Sequence, residues 1–434
     1  MLTRRHLGSF TLSAAALAIA ACAPGGQTGG PSANQAKQPV TLKLNHRTEM
    51  YVPKRAQEFT AANPHAKVEI LTDTGYEKLV AQIAAGDPGD VIWMSTGVGT
   101  YFEMAALGNN MDVAPLAAAD KHDLKQYLPV AIETAKIVDN KLFGLPALMH
   151  PSHIGLFYNV NAFETAGVKP PTLTTTFDEL VEIARKMQSP SMWGIQTESG
   201  SMPHFIPWVR SFGGELMDPG FLGKKVAFDK APARQALQYL YDLRHRHRVH
   251  PLRGEAAVNF IDGNLAMQTT LMSGGFNYER QIAGKFKMDA VLIPKLPTVP
   301  KRGSQGHVDM WGMFSRTRYK DDAWQLLKWM ANKETGQALF TEVGLPGARV
   351  DNWADPQVAA KPMFKVFKDF VEKEGVGLVA LPYNLRMLEW SNTIVPKAFE
   401  ALWTASPMSV DQAIAAALGP TQTFLDQPRP SAAR

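Results

Sequence analysis

VTLKLNHRTEMYVPKRAQEFTAANPHAKVEILTDTGYEKLVAQIAAGDPGDVIWM, running from Val40 to Met94, alternates strand-like with helix-like segments, and that order decides the fold class. Val40-Thr41-Leu42-Lys43-Leu44-Asn45 sets apolar and polar residues in turn, the period of a half-buried strand. From Tyr51 to Ala62 apolar and small positions recur at helical spacing, and Asn63-Pro64 stops that helix before a second strand, Lys67 to Leu71. Tyr76 to Ala85 reads as another helix. Gly86-Asp87-Pro88-Gly89 then turns the chain into a short apolar strand, Asp90 to Met94. This is an α/β order. It predicts parallel pairing through right-handed crossovers, with the loops at the carboxyl ends of the strands gathered along one crevice.

Upstream of Val40 the text changes character. Arg4 and Arg5 precede LSAAALAIAA, Leu12 to Ala21, a charged start followed by a short apolar run and small residues, which is the pattern of a cleaved export signal over 1–21. The apolar run is about half of the ~20 residues that span a bilayer, too short for a permanent anchor. TRRHLGSF, Thr3 to Phe10, resembles a twin-arginine export signal, and IAAC, Ile19 to Cys22, resembles a lipobox. Lipid on Cys22 would hold the mature amino terminus to a membrane surface by several acyl chains. Ala23 to Pro39 has no aromatic or branched aliphatic residue, so 22–39 reads as a lipidated cysteine and a flexible tether. Such a chain reaches ~20 to 25 Å on average.

The body from Val40 onward is long enough for more than one core within 434 residues. The formal charge is +5, and +3 without Arg4 and Arg5; the cations are scattered, with no basic stripe for nucleic acid. A single cysteine excludes an intrachain disulfide and a thiolate metal cluster. No Gly-x-Ser-x-Gly, His-Glu-x-x-His or Gly-x4-Gly-Lys-Ser/Thr motif occurs, so neither a catalyst nor a cofactor is expected. GVGTYF, Gly97 to Phe102, ends in Phe where a dinucleotide loop needs a small residue, and reads instead as a ligand-side loop. His245, His247 and His250 lie among arginines at a spacing that suits a basic helix end better than a metal site.

YEKLVAQIAAGDPGDVIWMS, Tyr76 to Ser95, resembles the stretch of family 1 extracellular solute-binding proteins in which a helix ends in a Gly-Asp-Pro turn and feeds an Asp-led strand. Further segments follow in family order: NKLFGLPAL from Asn140, GLFYNVNAFETAGVKPPTLTTTFDELVEIARKM from Gly155, SFGGELMD from Ser211, FIDGNLAM from Phe260, DAWQLLKWMANKETGQ from Asp322, and GLPGARV from Gly344. The resemblance covers the mature chain. Within it, Gly167 can close a helix, and Thr176 with Glu179 forms a capping box.

That resemblance implies a two-lobed, periplasmic-binding-protein-like α/β fold of type II with a ligand cleft between lobes. It places lobe 1 at 40–150 and 310–347, and lobe 2 at 151–309 and 348–434. The crossings are expected near Leu148 to Leu156, Gly306 to Gly312 and Leu345 to Arg349. It implies a monomeric receptor on the outer face of the membrane or in the periplasm, which closes on a sugar or oligosaccharide and delivers it to the permease subunits of an ABC importer. A sugar needs an aromatic face for its C–H groups and planar polar side chains for its hydroxyls. The motif positions then suggest Asn45, His46 and Arg47 after the first strand, Ser95 and Thr96 after the third, and His150 at the first crossing. His204, Trp208, Phe276, Asn277, Trp311, Arg349 and Trp390 complete the expected set. Maltose-binding members often place acidic residues where His46-Arg47 and His150 stand. This departure leaves open an anionic solute such as glycerol 3-phosphate or a sugar acid. A secreted carbohydrate-active enzyme is the rival from another class, requiring a carboxylate pair such as Glu198 with Glu215.

Overall fold

A computed structural model describes residues 37–46, 51–72, 78–79, 81–82, 85–96, 100–197, 202–218, 223–252, 258–374, 390, 394–405 and 408–427. The chain divides into Met1–Gln38 and Pro39–Arg434. The expected export signal, Cys22 and nearly all of the tether lie outside the described residues, as does Arg47.

The Pro39–Arg434 unit holds two sheets. In the first, β1 (Val40–His46) pairs in parallel with β2 (Ala66–Thr72) and with β3 (Val91–Ser95). Leu42 and Leu44 of β1 are fully buried, as the alternation requires. The helix Val52–Ala62 returns the chain between β1 and β2, with Pro53 in its first turn and the Asn63 amide donating to the Phe59 carbonyl at 3.0 Å at its end. Of the expected second helix, Lys78-Leu79 and Ala81-Gln82 are described, and they are helical.

β4 (Gly144–Ser152) is buried along its whole length, and β5 (Gly155–Asn159), which follows it, opens the second sheet. That sheet has the order β10-β5-β9-β6, from β6 (Trp193–Gln196), β9 (Leu265–Thr270) and β10 (Met288–Leu292), while β7 (Met217–Asp218) and β8 (Lys225–Val226) form a separate hairpin pair. β11 (Gln305–Met313) returns to the first sheet and inserts between β3 and β4, giving β2-β1-β3-β11-β4. It runs antiparallel to both neighbours, so the parallel pairing expected of the first three strands does not extend across the sheet. The register breaks between Asp309 and Met310, where Leu148 and Pro146 face them and Ala147 bulges out, at a proline that has no N–H for the ladder.

Two lobes therefore meet at a narrow waist. His153 and Ile154 alone separate β4 from β5. The second crossing, residues 293–304, runs beside the first: the Ile293 amide donates to the Ile154 carbonyl at 3.1 Å and Ser304 Oγ to the Ser152 carbonyl at 3.3 Å. It lies upstream of the expected Gly306–Gly312, because those residues already belong to β11 and are pinned between β3 and β4. At the third, Gly347 bridges Leu148 and the Ala348 amide donates to the bulged Ala147 carbonyl at 2.9 Å.

Helices cover both sheets. The helix Phe177–Met187 begins with the expected capping box of Thr176 and Glu179, and the helix before it ends on Gly167 at φ +64°. Its backbone meets the second sheet directly, since a Cβ on Gly194 of β6 would stand 2.2 Å from the Ala184 carbonyl oxygen. Trp324 and Leu327, on the helix Lys320–Met330, are core residues of the first lobe.

Candidate functional site

The registers fix which strand ends face the waist. β1 and β3 point their carboxyl ends toward it, β4 ends there and β11 starts there, so Asn45, His46, Ser95, Thr96, His150 and His307 lie along one edge. From the other lobe come the start of β5 and the carboxyl ends of β6 and β9, with Thr197, Thr269 and Thr270. This is the crevice where open α/β sheets bind their ligands.

Imidazoles meet at this edge. His150, buried, stacks on His307 of β11 with ring centroids 4.7 Å apart and planes inclined at 22°. Its Nδ1 lies 3.2 Å from the Pro151 carbonyl. Burial, with His307 and His153 adding to it, holds His150 well below the ordinary imidazole range, although the Pro151 carbonyl pulls the other way. His307 Nε2 is 3.2 Å from Ser95 Oγ and 3.0 Å from Asp309 Oδ1. His307 and Asp309, two apart on β11, share a strand face. At the crossing, His153 has φ +55°, a left-handed backbone rare for a non-glycine residue, and its ring meets His204 edge-on at 4.3 Å.

Serine, histidine and aspartate in contact invite comparison with a hydrolase triad, and the geometry answers it. Here the hydroxyl and the carboxylate approach the same Nε2, whereas general-base catalysis needs the serine on one ring nitrogen and the carboxylate on the other. Among the described residues, no group of three or more His, Cys, Asp or Glu is arranged to hold a metal ion.

The structure thus brings Ser95, His150 and His204 together with His153, His307 and Asp309, three residues that sequence reasoning passed over. The alternating Gly306-His307-Val308-Asp309 run was the available signal. His46 is buried at the end of β1, and Asn45 beside it donates to Gln82 Oε1 and the Pro88 carbonyl, both at 2.9 Å. Thr96 is spent on β11: its hydroxyl donates to the Val308 carbonyl at 3.0 Å and accepts from the Val308 amide at 2.9 Å.

Several residues of the expected set make contacts within the protein. Trp208 is buried in the second lobe against Phe177 and Tyr239, because its helix turns that face inward onto the helix Ala231–His245. Trp390 stacks on Phe424 and donates to Thr421 Oγ1 at 3.0 Å. Trp311, fully buried, packs edge-on to Trp93 at 5.0 Å, two residue pairs deeper than the Ser95–Asp309 pair at the cleft edge. Arg349 is held by Asp351 at 2.9 and 2.7 Å and by Gln126, over the Tyr127 ring. Phe276 packs on Phe340 of the first lobe, and Asn277 accepts from Arg280. The expected basic helix end is likewise an inner cluster: Arg244 and His250 are buried, 2.7 Å apart, with Arg244 over the Trp403 ring.

Residues 54–366 match the family described as bacterial extracellular solute-binding protein, well over half of the chain. The chain belongs to this family. It is 25% identical over 389 residues to the sn-glycerol-3-phosphate-binding periplasmic protein of Salmonella typhimurium, covering 80% of this chain and 83% of that one. Its fold is similar to an ABC substrate-binding protein of Listeria monocytogenes solved with cycloalternan, with TM-score 0.74, 19% identity and coverage of 90% and 98%. A Mycobacterium tuberculosis protein solved in complex with glycerophosphocholine gives TM-score 0.73 at 14% identity with coverage of 90% and 98%. The two-lobed α/β architecture of this family of solute-binding proteins is therefore that of the chain.

Proposed function

We propose that this chain is the extracytoplasmic receptor of an ABC importer, which captures a sugar or oligosaccharide in the waist cleft and presents it, closed, to the permease. The observation that carries this reading is the crevice itself. Polar strand ends from two sheets converge on a waist of which one connection is only His153 and Ile154, so a solute touching both edges can favour a closed form by the contacts unique to it. Lobe 1 is taken as 40–150 and 310–347 and lobe 2 as 151–309 and 348–434, with β11 adding 305–309 to the first lobe's sheet. Export by the twin-arginine signal, lipid on Cys22 and action as a monomer without turnover belong to the same reading.

Thermal melting of the chain against a panel of neutral oligosaccharides, sugar acids and glycerol phosphates tests it. A solute at a hundred times its Kd adds ~2.7 kcal/mol and raises the melting midpoint. Recovery of that solute unchanged supports a receptor. Chemical conversion of it supports the secreted enzyme.

A further inference from the structure

Apart from the crevice, the second lobe carries a cavity of about 630 Å³ between the start of the helix Phe177–Met187, the helix Ala231–His245 and residues 295–297 of the second crossing. Its size lies within the ~300 to 1,000 Å³ of small-molecule sites. None of Ser95, His150, His153, His204 and His307 lines it. Phe212, which does, directly follows the helix whose first turn holds His204, ~12 Å away at the helical rise. The floor is aromatic. Phe177 stacks on Phe212 with ring centroids 4.3 Å apart and planes inclined at 26°, and Tyr239 meets Phe177 edge-on at 4.9 Å. Phe212 and Tyr239 are only half-buried, which leaves part of this apolar surface open to the cavity.

The walls are planar and polar. Gln235, Gln238, Tyr239 and Asp242 recur at helical spacing, which puts them on one face of their helix. Gln238 donates to Asp242 Oδ1 at 2.7 Å, whereas the side chains of Asp178 and Gln235 take part in no hydrogen bond among the described residues. The charges nearly cancel. Asp178 and Asp242 are balanced by Arg246 and Lys295, and Lys295 Nζ is already given to the Val299 carbonyl at 2.5 Å. Burial, with Arg185 adding to it, holds His247 below the ordinary imidazole range, although Asp242 and Glu182 pull the other way. Its Nδ1 lies 2.6 Å from Arg185 Nη2, which can only donate, so Nδ1 accepts and Nε2 carries the ring proton.

We propose that this cavity is a second saccharide site, which takes one neutral pyranose ring against Phe212 and Tyr239 with its hydroxyls on Asp178, Gln235, Gln238 and Asp242. A pyranose presents an apolar C–H face and a rim of hydroxyls that both donate and accept. The aromatic floor meets the first, and amides beside carboxylates meet the second. A charged ligand gains little where carboxylates and cations cancel, and a wholly apolar one would strip water from two carboxylates without replacing it. The lining falls entirely within 151–309, taken as lobe 2. A ring held there makes the same contacts with the lobes open or closed, so it neither drives closure nor competes with the solute at the waist. The receptor reading does not depend on it.

Saturation-transfer difference NMR of the full chain tests this site. Methyl α-D-glucopyranoside and methyl β-D-galactopyranoside are the neutral probes, and D-glucosamine and D-glucuronate are a cation and an anion built on a similar ring. The expected result is saturation of the ring C–H protons of a neutral probe, with the charged sugars binding no tighter. Asp178→Ala combined with Gln238→Ala, both on exposed positions, and separately Phe212→Ala should weaken that probe by ~10-fold or more while the melting curve shows a folded chain. Both variants should keep the melting shift given by the solute that binds at the waist. A probe signal that survives both variants overturns the second site and leaves the receptor standing. Tighter binding of glucosamine or glucuronate than of either neutral probe overturns the assignment to a neutral ring. No signal from any probe overturns the second site, and the receptor reading then stands or falls on the melting panel alone.

Discussion

Replacing Glu374 by alanine isolates a buried guanidinium at the waist. Arg302, on the second crossing, is 7% exposed, and Glu374 takes its Nη1 at 2.6 Å and its backbone amide at 2.8 Å. Arg302 also donates from Nε to the Ile293 carbonyl at 3.0 Å and from Nη2 to the Leu173 carbonyl. These contacts fasten the crossing to the second lobe. Carbonyls alone do not neutralise the guanidinium, so removing the carboxylate should cost ~3 to 5 kcal/mol, the range for breaking one partner of a buried pair. Glu374→Gln keeps an acceptor and should lose about half of that, ~1.5 to 3 kcal/mol. A double change of Arg302→Met with Glu374→Leu should recover most of the loss, because an apolar pair leaves no buried charge. Urea unfolding followed by both circular dichroism and tryptophan fluorescence measures all three, with coincident transitions required before a free energy is read. A loss below ~1 kcal/mol for Glu374→Ala, the size of an exposed pair, would refute the reasoning and mean that water reaches Arg302.

Three further outcomes follow from the packing and the charges. Gly194→Ala puts a Cβ 2.2 Å from the Ala184 carbonyl oxygen, backbone that cannot swing aside, so strand and helix must part at ~1 to 3 kcal/mol or more, seen as a lowered melting midpoint. His150 and His250 are both held well below ordinary imidazole by burial, so the unfolded chain binds protons that the folded one refuses. Stability is therefore full above about pH 6.5 and falls as pH drops below it toward the depressed values, by up to ~1.4 kcal/mol per pH unit for each group. Melting curves from pH 8 to 5 check this, and replacing His250 by Gln should reduce the slope. Thr176→Ala removes an exposed capping box and should cost ~1 kcal/mol without altering solute affinity by calorimetry.

What could be read from the sequence was mostly local. The alternation at Val40–Asn45, the stop at Asn63-Pro64, the left-handed Gly167 and the capping box at Thr176 each depend on a few neighbouring residues, and each stands in the structure where its chemistry put it. β11 escaped because its place depends on strands far away in sequence: Asp309 pairs with Ser95 and Gln305 with Ser152. Its central residues read as a crossing. The site divided along the same line. Ser95, His150 and His204 sit at strand ends or beside the crossing that the family motifs mark, whereas Trp208 and Trp390 stand out in the sequence by ring type, and ring type does not distinguish a platform from a core. His153, His307 and Asp309 become neighbours of His150 only once β4, β11 and the crossing are assembled.

The central claim is that the two lobes close on a solute at the waist. Small-angle X-ray scattering of the full chain, titrated with the solute that raises its melting midpoint, measures this directly. Closure gives a radius of gyration that falls and saturates at the concentration where the melting shift saturates. Saturable binding with an unchanged radius would contradict it.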